Sequence, residues 1–128
     1  MDRHDLPDEV CAAAEAAAAK NATDVVVLSV AAVSTVGSFF VICSAASDRQ
    51  VRAITSAVEH AIDEAAGPKP ISIEGADSLE WVLMNYGDLL VHVFQQDSRD
   101  FYSLERLWAD APSLRWNDLP DALDSSRD

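Results

Sequence analysis

The sequence predicts a single α/β domain, a mixed sheet of about five strands with helices packed on it. Three observations carry this. Two uncharged apolar runs of strand length, Val25 to Val30 and Phe39 to Ile42, follow one another closely. A strongly amphipathic helical pattern occupies the chain from Ser47 to Gly67. Two further apolar runs, joined by a turn at Tyr86-Gly87, read as an antiparallel hairpin. With 128 residues, 49% of them apolar, the chain can close one hydrophobic core without metals or disulfides.

Residues 1–6 are expected to be a flexible N-terminus. The first helix begins near Pro7, with Asp8 and Glu9 in its first turn, where acidic groups suit the positive end of the helix dipole. Ala12 to Ala19 propagate it and Asn21 stops it. Because an Ala surface buries little area per residue, this helix depends on docking to the sheet.

From Val25 to Ser47 no residue is charged, a length that could cross a bilayer as a helix. The interruption at Ser34, Thr35, Gly37 and Ser38 splits the stretch into the two runs named above, and no Lys/Arg cluster anchors either end. Strands are therefore expected, buried on both faces because their apolarity is continuous. Ser47 then caps a helix, with Gln50 reaching back in a capping-box pattern. Val51, Ile54, Val58, Ala61, Ile62 and Ala65 form its inward stripe, and Gly67-Pro68 ends it.

A short strand, Ile71 to Glu74, precedes the hairpin. Centring the hairpin on Tyr86-Gly87 sets Trp81 opposite His92 and Met84 opposite Leu89. Since side chains alternate faces along a strand, Val82, Met84, Leu89, Val91 and Val93 gather on one side, as a core requires. Trp81, Leu83, Leu90, His92 and Phe94 gather on the other, with Asn85 and Asp88 at the tip. Two readings of that second face stand open. Large aromatics with a His and acidic neighbours suit a protein-binding patch; alternatively a helix covers the face and His92 is a hydrogen-bonded, half-buried residue. Ser98 can cap a last helix whose Phe101, Leu104, Leu107 and Trp108 point inward, ended by Pro112. Residues 7–112 thus make the domain, and residues 113–128 read as an acidic, disordered tail in which Leu114, Trp116 and Leu119 are the apolar exceptions.

Charge and cysteines narrow the function. Against 22 acidic side chains stand 9 basic ones, a formal charge of -13 that repels nucleic-acid phosphates unless the Arg residues cluster on one face. A protein partner with a basic surface is favoured over naked RNA. Cys11 and Cys43 lie in apolar stretches and read as small buried hydrophobes. The charged N-terminus Met1 to Asp5 lacks the apolar core of a signal peptide, so a cytoplasmic location is expected and no membrane contact. His4, His60 and His92 with the two cysteines show none of the short spacings of zinc sites, and no Gly-rich phosphate loop is present, so neither a metal nor a cofactor is expected.

Several strings together resemble the ribosomal silencing factor (Iojap) family: Asp24 to Val30, Phe40 to Ser44, Ser47 to Val51, the hairpin Trp81 to Phe94, and Arg99 to Trp108. They lie in order over residues 7–112. The resemblance implies a nucleotidyltransferase-like shape and a translational repressor active under nutrient limitation. It implies binding to the large ribosomal subunit, through its L-fourteen family protein, at the face where the small subunit docks, so that subunit joining is blocked by steric exclusion without catalysis. Carried over by position, Trp81, Leu83, Asn85, Tyr86, Asp88, Leu90, His92 and Phe94 are the partner-binding residues. This chain has Ser38-Phe39-Phe40 where the family commonly shows Asp-Tyr-Phe, Ala45 where it often has Gly, and Asn85 where it has Asp.

Two other classes remain for comparison. Gly37-Ser38 matches a pair that nucleotidyltransferase-like enzymes use at a phosphate, yet no Asp-x-Asp or Glu-x-Asp pair follows on a strand to hold magnesium, and the next acid, Asp48, starts a helix. An aromatic sheet face could also pair with its own copy, giving a homodimer.

Overall fold

A computed structural model describes residues 2–31, 38–97 and 111–118. Among the described residues two α-helices, α1 (Asp8–Ala19) and α2 (Asp48–Glu64), accompany six strands: β1 (Thr23–Ser29), β2 (Phe39–Ala45), β3 (Ser72–Glu74), β4 (Trp81–Asn85), β5 (Leu89–Gln95) and β6 (Ser113–Arg115). They form one sheet in the order β3-β4-β5-β2-β1-β6. The pair β2 and β5 runs parallel through a seven-residue register, Phe39 beside Leu89 to Ala45 beside Gln95, and the other neighbours run antiparallel. A parallel pair needs a crossover, and α2 with β3 and β4 supplies it. The expected last helix from Ser98 lies outside the described residues.

The uncharged stretch does form two strands, and no helix among the described residues is long and apolar enough to cross a membrane. Each helix end follows from its local residues. The α1 helix closes in a Schellman motif: Asn21 takes the left-handed conformation (φ 64°), Asn21 N–H donates to the Ala18 carbonyl and Ala22 N–H to that of Ala17. At the start of α2 the Ser47 hydroxyl accepts the Gln50 N–H at 3.1 Å, as the capping pattern requires. Gln50 reaches back one residue further than a capping box, its Oε1 accepting the Ala46 N–H at 2.7 Å. The end of α2 repeats the Schellman pattern, but Ala66, not Gly67, is the left-handed residue (φ 60°). Gly67 is needed for space, since a Cβ there would lie 2.7 Å from Ile62 Cγ2.

Three expectations need correction. The sheet has six strands rather than five because the chain read as a disordered tail returns to the domain at its start. Ser113–Arg115 pairs with β1, Asn117 Oδ1 accepts the Val25 N–H at 2.6 Å, and Trp116, 7% exposed, sits in the main core with the Arg3 guanidinium 4.7 Å over its ring. The N-terminus is likewise folded: Arg3–Asp5 makes a 3-10 turn capped by Asp2, and Leu6 is buried.

The third correction is the hairpin register. Trp81 faces Phe94, Leu83 faces His92 and Met84 faces Val91, two residues away from the expected pairing. The cause is the turn: Gly87 takes a positive φ of 89° at the first central position, and Tyr86 N–H donates to the Leu89 carbonyl at 2.9 Å, so Gly87-Asp88 is the loop. A shift of two leaves every side chain on its expected face. Val82, Met84, Leu89, Val91 and Val93 accordingly lie in the main core with Val10, Ala13, Ala14 and Ala17 of α1 and Val51, Ile54, Val58 and Ile62 of α2.

Candidate functional site

On the opposite face of the sheet a second apolar cluster spans four strands. Val26 and Leu28 of β1, Phe40 and Ile42 of β2, and Leu90 and Phe94 of β5 form it with Val30, and Trp81, Leu83 and Ala111 pack against it. The hairpin residues form its aromatic end. Trp81 stacks on Phe94, with ring centroids 4.9 Å apart, and lies 5.9 Å from His92; Phe40 meets the same imidazole at 4.9 Å. Trp81 Nε1–H donates to His92 Nδ1 at 3.2 Å. An imidazole that accepts at Nδ1 and is neutral carries its hydrogen on Nε2, and His92 Nε2 is buried with no partner among the described residues. Burial pulls the His92 pKa from the ordinary 6.5 down to about 4, so the ring is neutral at physiological pH.

The structure divides the expected site residues. Trp81, Leu83 and Asn85 are half-buried and Asp88 is exposed. Leu90, His92 and Phe94 share the face but are 6%, 5% and 0% exposed, so they support the surface rather than form it. The reason was present in the strands: continuous apolarity in β1 and β2 demands cover on both faces, and the hairpin shares one of those faces. His92 is thus the hydrogen-bonded, buried residue of the second sequence reading.

Tyr86 does not belong with the others. It is buried in the main core, its hydroxyl lacks a partner among the described residues, and burial, helped by nearby Glu59, pushes its pKa up to about 12. Asn85 Oδ1 accepts the Gly87 N–H at 2.8 Å and so holds the turn. Sequence reasoning missed Phe40 as the fourth ring of the aromatic end; its place two residues before Ile42 in a two-sided strand was the available signal. It also missed that the Asp88 carbonyl accepts the N–H groups of Ser38 and Phe39 at 2.8 and 3.0 Å. The Ser38 backbone donor, half of the Gly-Ser pair of an enzyme reading, is thereby engaged in tying β2 to the hairpin tip; Gly37 lies outside the described residues.

Fold and site together define a small mixed α/β domain with a fixed indole at the open border of an otherwise buried sheet face. Residues 3–128 match the family profile described as ribosomal silencing factor during starvation, and the chain belongs to that family. The Bacillus subtilis ribosomal silencing factor RsfS is 43% identical over 100 residues, 78% of this chain and 84% of that protein. A crystal structure of a Chromobacterium violaceum protein superimposes with a TM-score of 0.75 at 30% identity, covering 85% of this chain and 88% of that one. A mouse protein named mitochondrial assembly of ribosomal large subunit protein 1 is 28% identical over 93 residues, 70% of this chain and 40% of that protein. Membership gives this chain a ribosome-associated silencing role.

Proposed function

We propose that this protein represses translation in the cytoplasm by binding the large ribosomal subunit and sterically blocking association with the small subunit, with no catalytic step. The surface is the open border of the aromatic face: Trp81 and Leu83, with Asn85 and Asp88 at the hairpin tip, docking on the L-fourteen family protein. Leu90, His92 and Phe94 act from beneath. Tyr86, turned into the other core, takes no part.

The observation that carries this reading is the state of Trp81. Its indole is half-open yet immobilised by a hydrogen bond to His92 and a stack on Phe94. A large ring already ordered before binding loses little entropy on contact, which is what an interface hot spot requires. Asp88, exposed at the hairpin tip at the other end of the border, gives the rim a negative charge that suits a basic ribosomal protein. Support for the large subunit comes from the name of the mouse relative, and support for a ribosomal target from the family description.

The test is co-sedimentation of the purified protein with isolated large subunits, comparing the wild type with Trp81→Ala combined with Leu83→Asp. Loss of binding by the folded variant is expected; undiminished binding would remove this border from the mechanism. If two copies pair through the same border, the homodimer and the subunit compete for it, and the dimer fraction falls in the same variant.

A further inference from the structure

The described chain contains six Lys and Arg side chains, and their placement is uneven. Arg3, Lys69 and Arg115 lie 4.0, 3.9 and 3.6 Å from Glu15, Asp63 and Asp24. The other three, Lys20, Arg49 and Arg52, have no carboxylate within 4.0 Å among the described residues, and all three are exposed. They come from one corner, the junction of the end of α1 with the first turns of α2. Gln50 Nε2 donates to the carbonyls of Lys20 and Asn21 at 3.1 and 3.0 Å, which fixes the end of α1 against the start of α2. Lys20 and Ala53 line one shallow depression, and Ala53 stands one turn from Arg49 and next to Arg52. Asp48, the nearest acid in sequence, accepts a hydrogen bond from the Gln95 side chain. Glu59 lies about 10 Å along the helix from Arg52.

In a chain of charge -13, cations left unpaired and gathered together are placed for an anion outside the molecule. The corner lies on the helix side of the sheet, at the same end of the strands where Trp81 lies on the other side. Gln95 bonds both Asp48 and the Leu79 carbonyl, and its N–H donates to the Glu80 carbonyl at 3.0 Å, one residue before Trp81. With a ribosomal protein seated on Trp81, Arg49 and its neighbours stay uncovered at the same end of the sheet. On the large subunit the abundant anion is the RNA backbone.

We propose that Lys20, Arg49 and Arg52 form a second contact, to backbone phosphates of ribosomal RNA beside the docked ribosomal protein. This rests on the large-subunit reading above. The contact is independent of RNA sequence, and the acidic bulk of the chain keeps it too weak to hold free RNA.

The test uses the whole chain and isolated large subunits. Affinity is measured across a salt series for the wild type, for Lys20→Ala with Arg49→Ala and Arg52→Ala, and for Arg49→Lys with Arg52→Lys. Hydroxyl-radical footprinting of the ribosomal RNA accompanies each. Three phosphate contacts steepen the log–log salt dependence by about 2, equivalent to roughly twentyfold in affinity over a fourfold rise in salt. The triple alanine variant is expected to lose that increment and the ribose protections, and the lysine variant to keep both. An unchanged slope with unchanged protections overturns the proposal. Lower affinity without any RNA protection in the wild type also overturns it, and assigns the corner to an acidic protein segment. Failure of the wild type to bind large subunits sinks the docking reading and this one together, whereas loss of binding only in the Trp81 and Leu83 variant sinks this one alone.

Discussion

His92 should make the stability of this protein fall steeply in mild acid. In the fold the imidazole is buried and its pKa is held at about 4, against an ordinary 6.5 in the unfolded chain. Between these values the unfolded state binds a proton that the folded state refuses, so stability rises with pH across this window. The contribution is fully present above pH 6.5 and is lost as pH falls towards 4. The whole gap corresponds to about 3 kcal/mol, of which about 2 kcal/mol is already gone at pH 5. Carboxylates titrate in the same region, so the measurement is a difference: urea unfolding of the wild type and of His92→Gln at pH 7.5, 6, 5.5 and 5. The non-titrating variant is less stable at pH 7.5, since an amide does not reproduce the packing of the imidazole against Phe40, Trp81 and Phe94, but the gap between the two should narrow by about 2 kcal/mol at pH 5. A gap that stays constant over this range would mean that the folded imidazole takes up its proton normally, and that the aromatic end is wet.

Further outcomes follow from the same geometry. Tyr86→Phe removes a buried hydroxyl that has no partner among the described residues, so stability should be unchanged or higher by up to about 1 kcal/mol in denaturant titration, with subunit binding intact. Ala66→Gly relieves the left-handed strain at the end of α2 and should add about 0.5–1 kcal/mol, read as a rise of a few degrees in Tm, whereas Gly67→Ala drives a Cβ against Ile62 and should lower it. Trp116→Ala empties a core position and removes the ring under Arg3, at a cost of about 3–5 kcal/mol in the same titration. A tail without structural weight would show almost none of that loss.

Much of this architecture is legible because short-range chemistry decides it. Ser47 and Gln50 announce the start of α2, Asn21 the end of α1, and the period-two alternation sorts Val82 from Leu83 and Val91 from His92 whatever the register. That same parity hid the register itself, since a two-residue slip changes no face; only the handedness of the Gly87 turn distinguishes the pairings. The sixth strand was not legible because three residues, Ser113 to Arg115, gain their structure from β1 far back in the chain. Gly67-Pro68 marked where α2 stops but not that Ala66 bears the unfavourable φ. In the candidate site, composition grouped the residues of one face and misjudged its depth: the apolar runs of β1 and β2 already required cover there, which leaves Trp81, Leu83 and Asn85 half-buried and Asp88 exposed and buries Leu90, His92 and Phe94. Tyr86 shows the limit of transfer by position, since the alternation that puts Val82 and Met84 in the main core puts its ring there too.

Steric exclusion is tested most directly by light scattering during subunit joining. Large subunits are preincubated with this protein at a concentration that saturates binding, and small subunits are then added. Joining should fall in proportion to occupancy and recover with the Trp81→Ala and Leu83→Asp variant. Full-rate joining by large subunits shown to carry the protein would contradict the blocking mechanism, however tightly it binds.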